Sequence, residues 1–189
     1  MRSLPINDDT GYAPLPKLLH WITVVLVAAV WILGTWGDDL PDSVQTQAWI
    51  VHMSAGLLIL AVACVRIPWR VASQPPQSEP TRLGTWLIEW TDPAARVMHY
   101  CLYGLLVAVP VAGIVLQFMR GHDLPVFGLF QIPSPFVPDK ATAHLVKEVH
   151  EVLANALVIL ALFHMTAAIV HHVVFRDGTL ERMLPRARR

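Results

Sequence analysis

Two histidines, His150 and His164, lie fourteen residues apart within one long apolar segment of the chain. Fourteen residues are close to four turns of an α-helix, so both imidazoles would point the same way, about 21 Å apart along the axis. Two other apolar segments carry His20 and His52. Imidazole is a common metal ligand, and a polar side chain at membrane depth is costly and usually functional. The four histidines therefore predict metal centres within a membrane.

The composition is typical of a membrane protein. Of the 189 residues, 54% are hydrophobic and only 15% are charged, and the mean hydropathy is +0.49. The formal net charge is zero, which gives no electrostatic reason to expect nucleic-acid binding. Cys64 and Cys101 form no C-x-x-C-H motif, so we expect no covalently attached haem and interpret both as small buried hydrophobic residues.

Four apolar runs are long enough to cross a bilayer, at about residues 17–36, 48–67, 94–119 and 141–175. We expect the second run to end before Pro68, and Trp86 to Trp90 to form a separate short helix along the membrane interface. Short connections favour an up-and-down arrangement. The sequence predicts an all-α integral membrane protein, with residues 1–189 forming a single domain of four transmembrane helices.

Lysine and arginine residues predict the orientation of this bundle. Eleven of them fall on the side that holds both termini, whereas the other side has only Arg120, Lys140 and Lys147. The charged residues of the connection between the first two runs are all acidic. We therefore expect both termini in the cytoplasm and the first and third connections outside, in the periplasm of a Gram-negative bacterium.

This orientation gives each histidine a depth in the membrane. His52 and His150 lie near the outer end of their runs, and His20 and His164 share the inner half. We therefore pair His52 with His150 and His20 with His164, each pair holding one haem b. Small residues one turn from these histidines would leave room for a flat porphyrin, unless they serve close helix packing alone: Ala55, Gly56, Ala154, Ala161, Ala167 and Ala168.

Other interpretations of the histidines stay open. Zinc would need four ligands that converge on one point, whereas these histidines divide into two pairs at different depths. Histidines that only hydrogen-bond between helices are a further possibility. His99, early in the third run, is the alternative to His20 as an inner ligand. His99 and His171 are also candidates for contact with haem propionates or a quinone head group, unless they are ordinary interface residues.

The motifs around these histidines resemble those of the bacterial cytochrome b561 family, in particular its superoxide oxidase type. The matching segments follow in order along nearly the whole chain: residues 19–21 (LHW), 51–56 (VHMSAG), 120–121 (RG), 149–155 (VHEVLAN), 163–164 (FH), 168–172 (AIVHH), 177–180 (DGTL), 182–183 (RM) and 184–186 (LPR). The resemblance implies a four-helix bundle enclosing two haems b, with four axial ligands: His20, His52, His150 and His164.

The resemblance also implies a reaction in the bacterial inner membrane. Superoxide gives an electron to the outer haem, and ubiquinone is reduced near the inner side, where His171 is the candidate for quinone contact. Superoxide is a small anion, so positive charge near the outer haem would steer it. Arg120, Lys140 and Lys147 are the fixed positive charges there, and are the candidate residues for this step unless they only anchor the protein at the interface.

Two other functions fit the same sequence. A dihaem subunit that relays electrons for a separate dehydrogenase or a periplasmic redox partner would need the same two haem sites. A membrane protein without redox chemistry, such as a metal transporter, would use the histidines as metal ligands only.

Overall fold

The computed structural model describes residues 14–72, 85–176 and 179–184, except the side chains of residues 85–90 and 92. Most of these residues lie in four long helices: α1 (Pro14–Trp36), α2 (Asp42–Ala72), α3 (Thr85–Met119) and α4 (Lys140–Val170). Each contains a stretch long and apolar enough to cross a membrane. The prediction of an all-α membrane protein with four transmembrane helices is therefore confirmed.

The helices run up and down. A 3-10 turn, Gly37–Asp39, follows α1, and α2 begins three residues later at Asp42. Helices α1 and α2, α2 and α3, and α3 and α4 pack in sequence, and a thinner contact between α1 and α4 closes the bundle. We call the end that holds the 3-10 turn and the connection from α3 to α4 the loop end. The opposite end, where α1 begins and α4 ends, is the terminal end.

A small buried cluster lies at the centre of the bundle, formed by Ile59, Ala63, Leu106 and Leu157. The outer surface is also apolar, with side chains such as Val25 and Val152 exposed to about two thirds of their area. This distribution suits a bundle whose outer surface is covered by lipid instead of water. Cys64 and Cys101 lie on exposed faces, so the expectation that both are buried is wrong.

Each helix coincides with one of the predicted apolar runs, but helices α2 and α3 extend beyond the ends of their runs. Helix α2 continues through Pro68 to Ala72, and α3 already begins at Thr85, so residues 86–90 are its first turns and not a separate helix. Hydropathy marks the part of a helix that matches the hydrocarbon layer, whereas the helix itself continues beyond it. The proline-rich residues 75–80 lie outside the described residues.

Helix α4 ends in a π-helical turn, His171–Phe175, which completes the predicted fourth span. Residues 179–184 then contact the first turns of α1. The indole of Trp21 donates to the carbonyl of Met183 at 2.9 Å, and Lys17 Nζ donates to the carbonyl of Leu184 at 3.4 Å. The carbonyl groups of residues 183 and 184 are therefore bonded to the first turns of α1.

The connection from α3 to α4 contains a short antiparallel hairpin that sequence reasoning did not identify. Strand β1 (Leu124–Val126) pairs with β2 (Phe130–Ile132), and Leu124 is buried. The turn between them has positive φ at Phe127 and Gly128, 53° and 70°. The backbone N–H of Phe127 donates to Ser54 Oγ on α2 at 2.9 Å. The hairpin is thereby attached to α2 two residues beyond His52.

Asp139 links the end of α3 to the start of α4. Its backbone N–H donates to the carbonyl of Met119, and its carboxylate accepts from the N–H groups of Ala141 and Thr142 and from the Thr142 hydroxyl. These bonds satisfy donors that the first turn of a helix would otherwise leave unpaired. The hydrogen bonds from Thr142 hold the pKa of the Asp139 carboxyl below its usual range.

We expect Asp139→Ala to lower the Tm of the detergent-solubilised protein at pH 7 by about 2–4 °C, because the cap of α4 is lost. Asp139→Asn, the matched control, keeps an acceptor and should lose much less. Because the pKa of the Asp139 carboxyl is lowered in the folded protein, the carboxylate stabilises the fold fully at pH values above its ordinary pKa. This stability is lost as the pH falls through the lowered pKa. The difference in Tm between wild type and Asp139→Asn should therefore become smaller at acidic pH. Equal Tm values for wild type and Asp139→Ala at pH 7 would contradict this role.

Candidate functional site

The rings of His52 and His150 meet in the half of the bundle nearer the loop end. Their centroids are 6.4 Å apart and the ring planes are inclined by 70°. His52 Nδ1 lies 2.9 Å from the carbonyl oxygen of Val30, and His150 Nδ1 lies 3.0 Å from that of Val109. A carbonyl only accepts, so Nδ1 carries the proton in both rings and each Nε2 keeps a lone pair. Both histidines are therefore in the tautomer that binds a metal through Nε2.

His20 and His164 form a second pair nearer the terminal end. Their centroids are also 6.4 Å apart, with an interplanar angle of 72°. His20 is only three residues from the start of the apolar run at 17–36. Helix α1 begins at Pro14, however, so His20 lies nearly two turns inside the helix. The structure thus places His52 beside His150 and His20 beside His164, as expected from their depths in the membrane.

The spacing within both pairs suits a metal between opposed imidazoles. With metal–nitrogen bonds of about 2.0 Å, two such rings have centroids about 6.3 Å apart. The His99 ring is also close to His164, but their centroids are 5.3 Å apart, which is short for this arrangement. Within the described part of the chain, no three His, Cys, Asp or Glu side chains are placed to hold a metal ion together. Each pair supplies two axial donors, and a porphyrin would supply the other four.

Arg66 on α2 lies beside the His20–His164 pair. Its Nη1 donates to the hydroxyl of buried Thr23 at 2.9 Å, and its guanidinium carbon is 5.5 Å from the centre of the Tyr103 ring. Its Nη2 is 3.4 Å from His20 Nδ1. These contacts hold a positive charge next to one candidate ligand, between α1, α2 and α3.

The Arg66 contact distinguishes His20 from His52 and His150. Arginine only donates, so His20 Nδ1 is the acceptor, and the proton of the neutral ring is on Nε2. Ligation through that Nε2 requires the ring to lose its proton or Arg66 to turn away. Sequence reasoning placed Arg66 among the charges that set orientation and missed this position. The signal was available, because Arg66 follows His52 by fourteen residues, the same spacing as His150 and His164.

His171 lies in the π-helical turn at the terminal end, and its ring packs edge-on against Phe175 with centroids 4.9 Å apart. It begins this turn seven residues after His164. Isolated π-helical turns occur often at functional sites. His171 thus remains a candidate for contact with a ligand at this end, as does His99.

Arg120, Lys140 and Lys147 line one open cavity at the loop end, with a volume of about 420 Å³. His122 and His144 contribute to the same wall. Two exposed carboxylates offset part of this charge: Lys147 pairs with Glu151 at 3.2 Å and His144 with Glu148 at 3.5 Å. Lys147 precedes His150 by three residues, so the cavity lies about one turn of α4 from the His52–His150 pair.

Comparison with known proteins agrees with the four-helix membrane fold. The family described as prokaryotic cytochrome b561 matches residues 11–186. The chain belongs to this family. Cytochrome b561 homolog 2 of Escherichia coli (strain K12) is 32% identical over 180 residues, which cover 94% of this chain and 93% of that protein. The probable superoxide oxidase CybB of Yersinia pestis is 31% identical over 179 residues, covering 94% and 97%.

A more distant relative, cytochrome b562 of Cereibacter sphaeroides, is 26% identical over 185 residues, covering 95% of this chain and 98% of that protein. Membership of the cytochrome b561 family makes this chain a bacterial membrane protein of electron transfer and implies b-type haem. The His52–His150 pair fits that group as it stands, since bis-histidine ligation is an established way to hold haem iron. The His20–His164 pair has the same ring spacing and fits once Arg66 no longer donates to His20 Nδ1.

Helices α1 and α4 are joined by a hydrogen bond near the His52–His150 pair. Trp31 Nε1 donates to Asn155 Oδ1 at 3.0 Å, one residue beyond Val30 on α1 and five beyond His150 on α4. Among the neighbouring helices of the bundle, α1 and α4 have the smallest contact. Because His20 lies on α1 and His164 on α4, this hydrogen bond also helps to hold the helices of the second histidine pair together.

We expect Asn155→Ala to destabilise the protein by about 1 kcal/mol, the usual size of an interhelical hydrogen bond in a membrane. Trp31→Phe removes the donor and keeps most of the ring. Because both variants break the same bond, their effects should not add. Unfolding in mixed micelles measures this as a double-mutant cycle. Additive losses would show that the two side chains do not stabilise the contact together.

Proposed function

We propose that the whole chain, as one membrane domain, is a dihaem cytochrome b that moves electrons across the bilayer, from superoxide outside to ubiquinone near the inner side. The observation that carries the proposal is the pair of sites in opposite halves of one bundle, each with two imidazoles at 6.4 Å. When bound, each haem would carry one electron and leave no open axial position for oxygen. The fourteen-residue spacing of His150 and His164 separates the sites by about 21 Å along α4.

The distribution of charge supports the orientation. The described basic residues at the terminal end include Lys17, Arg70, Arg96 and Arg176, and positively charged ends face the cytoplasm. The terminal end would then be cytoplasmic and the loop end would face the periplasm, with the protein in the inner membrane.

The loop-end cavity supports superoxide as the electron donor. Arg120, Lys140 and Lys147 would raise the local concentration of a small anion one turn from His150. The oxidation is balanced simply: two superoxide anions each lose one electron and leave as oxygen. Ubiquinone takes up these two electrons and two protons and becomes ubiquinol.

Residues of the terminal end support the second half of the reaction. Arg66 places a positive charge beside His20, which favours the presence of an electron at that site over the site near the loop end. His171 and His99 lie at the same end and carry imidazoles that can bond a quinone carbonyl. Electron transfer from the loop end to the terminal end is favoured by this asymmetry.

One observation favours a second candidate function. The hairpin at the loop end exposes the large apolar side chains of Phe127, Leu129 and Phe130, of which Leu129 is 82% exposed. A periplasmic redox partner or a dehydrogenase could dock on this surface, and the protein would then relay electrons for that partner. Rapid haem reduction by superoxide alone favours the first function, and haem reduction that needs an added redox protein favours the second.

The assignment of ligands is tested by removing single histidines. We expect His150→Ala to abolish one of two spectral components and His20→Ala to abolish the other, because each variant breaks a different pair. His144→Ala, an exposed histidine on the same helix as His150, is the matched control and should keep both. The haem-to-protein ratio and the α-band of the reduced protein are measured. If His20→Ala leaves both components intact, and His99→Ala removes the component that His150→Ala leaves, then His99 and not His20 is the ligand.

The charge of the cavity is tested by Lys140→Gln and Arg120→Gln. We expect each to slow haem reduction by superoxide severalfold at low ionic strength, with the difference disappearing at high salt. Arg96→Gln removes one exposed charge from the opposite end and is the control. Stopped-flow absorbance measures the rate constants. Rates that are unchanged, or that fall equally in Arg96→Gln, would contradict electrostatic steering at this cavity.

A further inference from the structure

We infer that Gly34 and Gly113 are positioning residues for the His52–His150 site: each leaves room for a histidine ring and access to the helix carbonyl that orients it. The inference rests on the proposed function, since it takes these two histidines as axial ligands. Neither glycine follows from the sequence motifs, because neither lies on the helix of the histidine that it serves.

The first contact is between α1 and α2. A Cβ atom on Gly34 would lie 3.0 Å from Cε1 and 3.5 Å from Nδ1 of His52. The same Nδ1 donates to the carbonyl of Val30, four residues earlier on α1. In an α-helix the Cβ of a residue points back toward the N-terminus, over the turn that holds the carbonyl four residues before it. A side chain at position 34 would therefore occupy the space through which His52 reaches Val30.

The second contact repeats this geometry between α3 and α4. A Cβ atom on Gly113 would lie 3.1 Å from Cε1 and 3.4 Å from Nδ1 of His150. That Nδ1 donates to the carbonyl of Val109, again four residues before the glycine. The chemistry, the offset and the close approach are thus the same in two helix pairs.

The repetition indicates that the glycines serve the site. Among the glycines that the structure describes, only Gly34 and Gly113 would bring a Cβ within 4 Å of a histidine ring. Glycine in a helix interior destabilises the helix relative to alanine, so its use at both positions needs a reason. A hydrogen bond from the second ring nitrogen fixes the tautomer and the ring orientation of a metal-bound histidine, and its loss commonly weakens metal binding.

The test uses the full-length, haem-loaded protein with Gly34→Ala and, separately, Gly113→Ala. We expect the component lost in His52→Ala to change its low-spin electron paramagnetic resonance g values and its midpoint potential, and to bind haem about tenfold more weakly. The component lost in His20→Ala should be unchanged. Thr35→Ala, an exposed neighbour on α1 that bonds only to its own helix, is the control.

A double-mutant cycle separates ring contact from a general helix defect. Gly34→Ala should lower the Tm in the wild-type background, although alanine is the better helix former. In a His52→Ala background the same substitution should leave the Tm unchanged or raise it, because no ring faces the new methyl group. Gly113→Ala with His150→Ala gives the second, independent cycle. The Tm is read by circular dichroism and needs no bound haem.

The outcomes distinguish this inference from the proposed function. If wild type shows two bis-histidine haems but Gly34→Ala and Gly113→Ala leave g values, potential and affinity unchanged, the inference is wrong and the haem function stands. Equal disturbance of both components, or the same Tm loss in the His→Ala backgrounds, also overturns it. If wild type binds fewer than two haems, the proposed function fails, and the Tm cycles alone decide whether the glycines position the rings.

Discussion

The hydrogen bond from a histidine on one helix to a backbone carbonyl on its neighbour is the interaction on which the rest of this structure depends. A ring in the hydrocarbon region has no water to satisfy its nitrogens, so both must find partners within the protein or its ligand. At His52 and His150 one nitrogen bonds a carbonyl, and the other is left with a lone pair. The packing of α1 against α2 and of α3 against α4 therefore also fixes the tautomer of both rings.

The two sites share a ring spacing but differ in what surrounds the rings. Neutral carbonyls orient the pair near the loop end, whereas the cationic Arg66, supported by Thr23 and Tyr103, lies against His20 in the other pair. In a low-dielectric bundle one fixed charge has a large effect on the stability of an added electron. On the proposed function, this difference makes electron flow toward the terminal end favourable, and the basic cavity supplies an anionic donor to the first site.

Much of this arrangement could be predicted because membrane helices have a simple geometry. Hydropathy located four spans, and the fourteen-residue spacing with an orientation gave the two pairs of rings. Helix ends and the hairpin were not predictable, since Pro68 does not end α2 and the Phe127 turn depends on Ser54 of a distant helix. Gly34 and Gly113 were missed for the same reason. Their role depends on the contact between two helices, and the residue pattern along a single helix does not show which residues of another helix it will contact.

The most direct test of the account is a count of the haems in the purified wild-type protein, combined with the electron paramagnetic resonance spectrum of its oxidised form. Two opposed imidazole pairs predict two haems b per chain and two low-spin ferric signals, with no high-spin component of comparable size. One haem per chain at saturation, or a high-spin signal from an iron that lacks a second imidazole, would contradict the central claim.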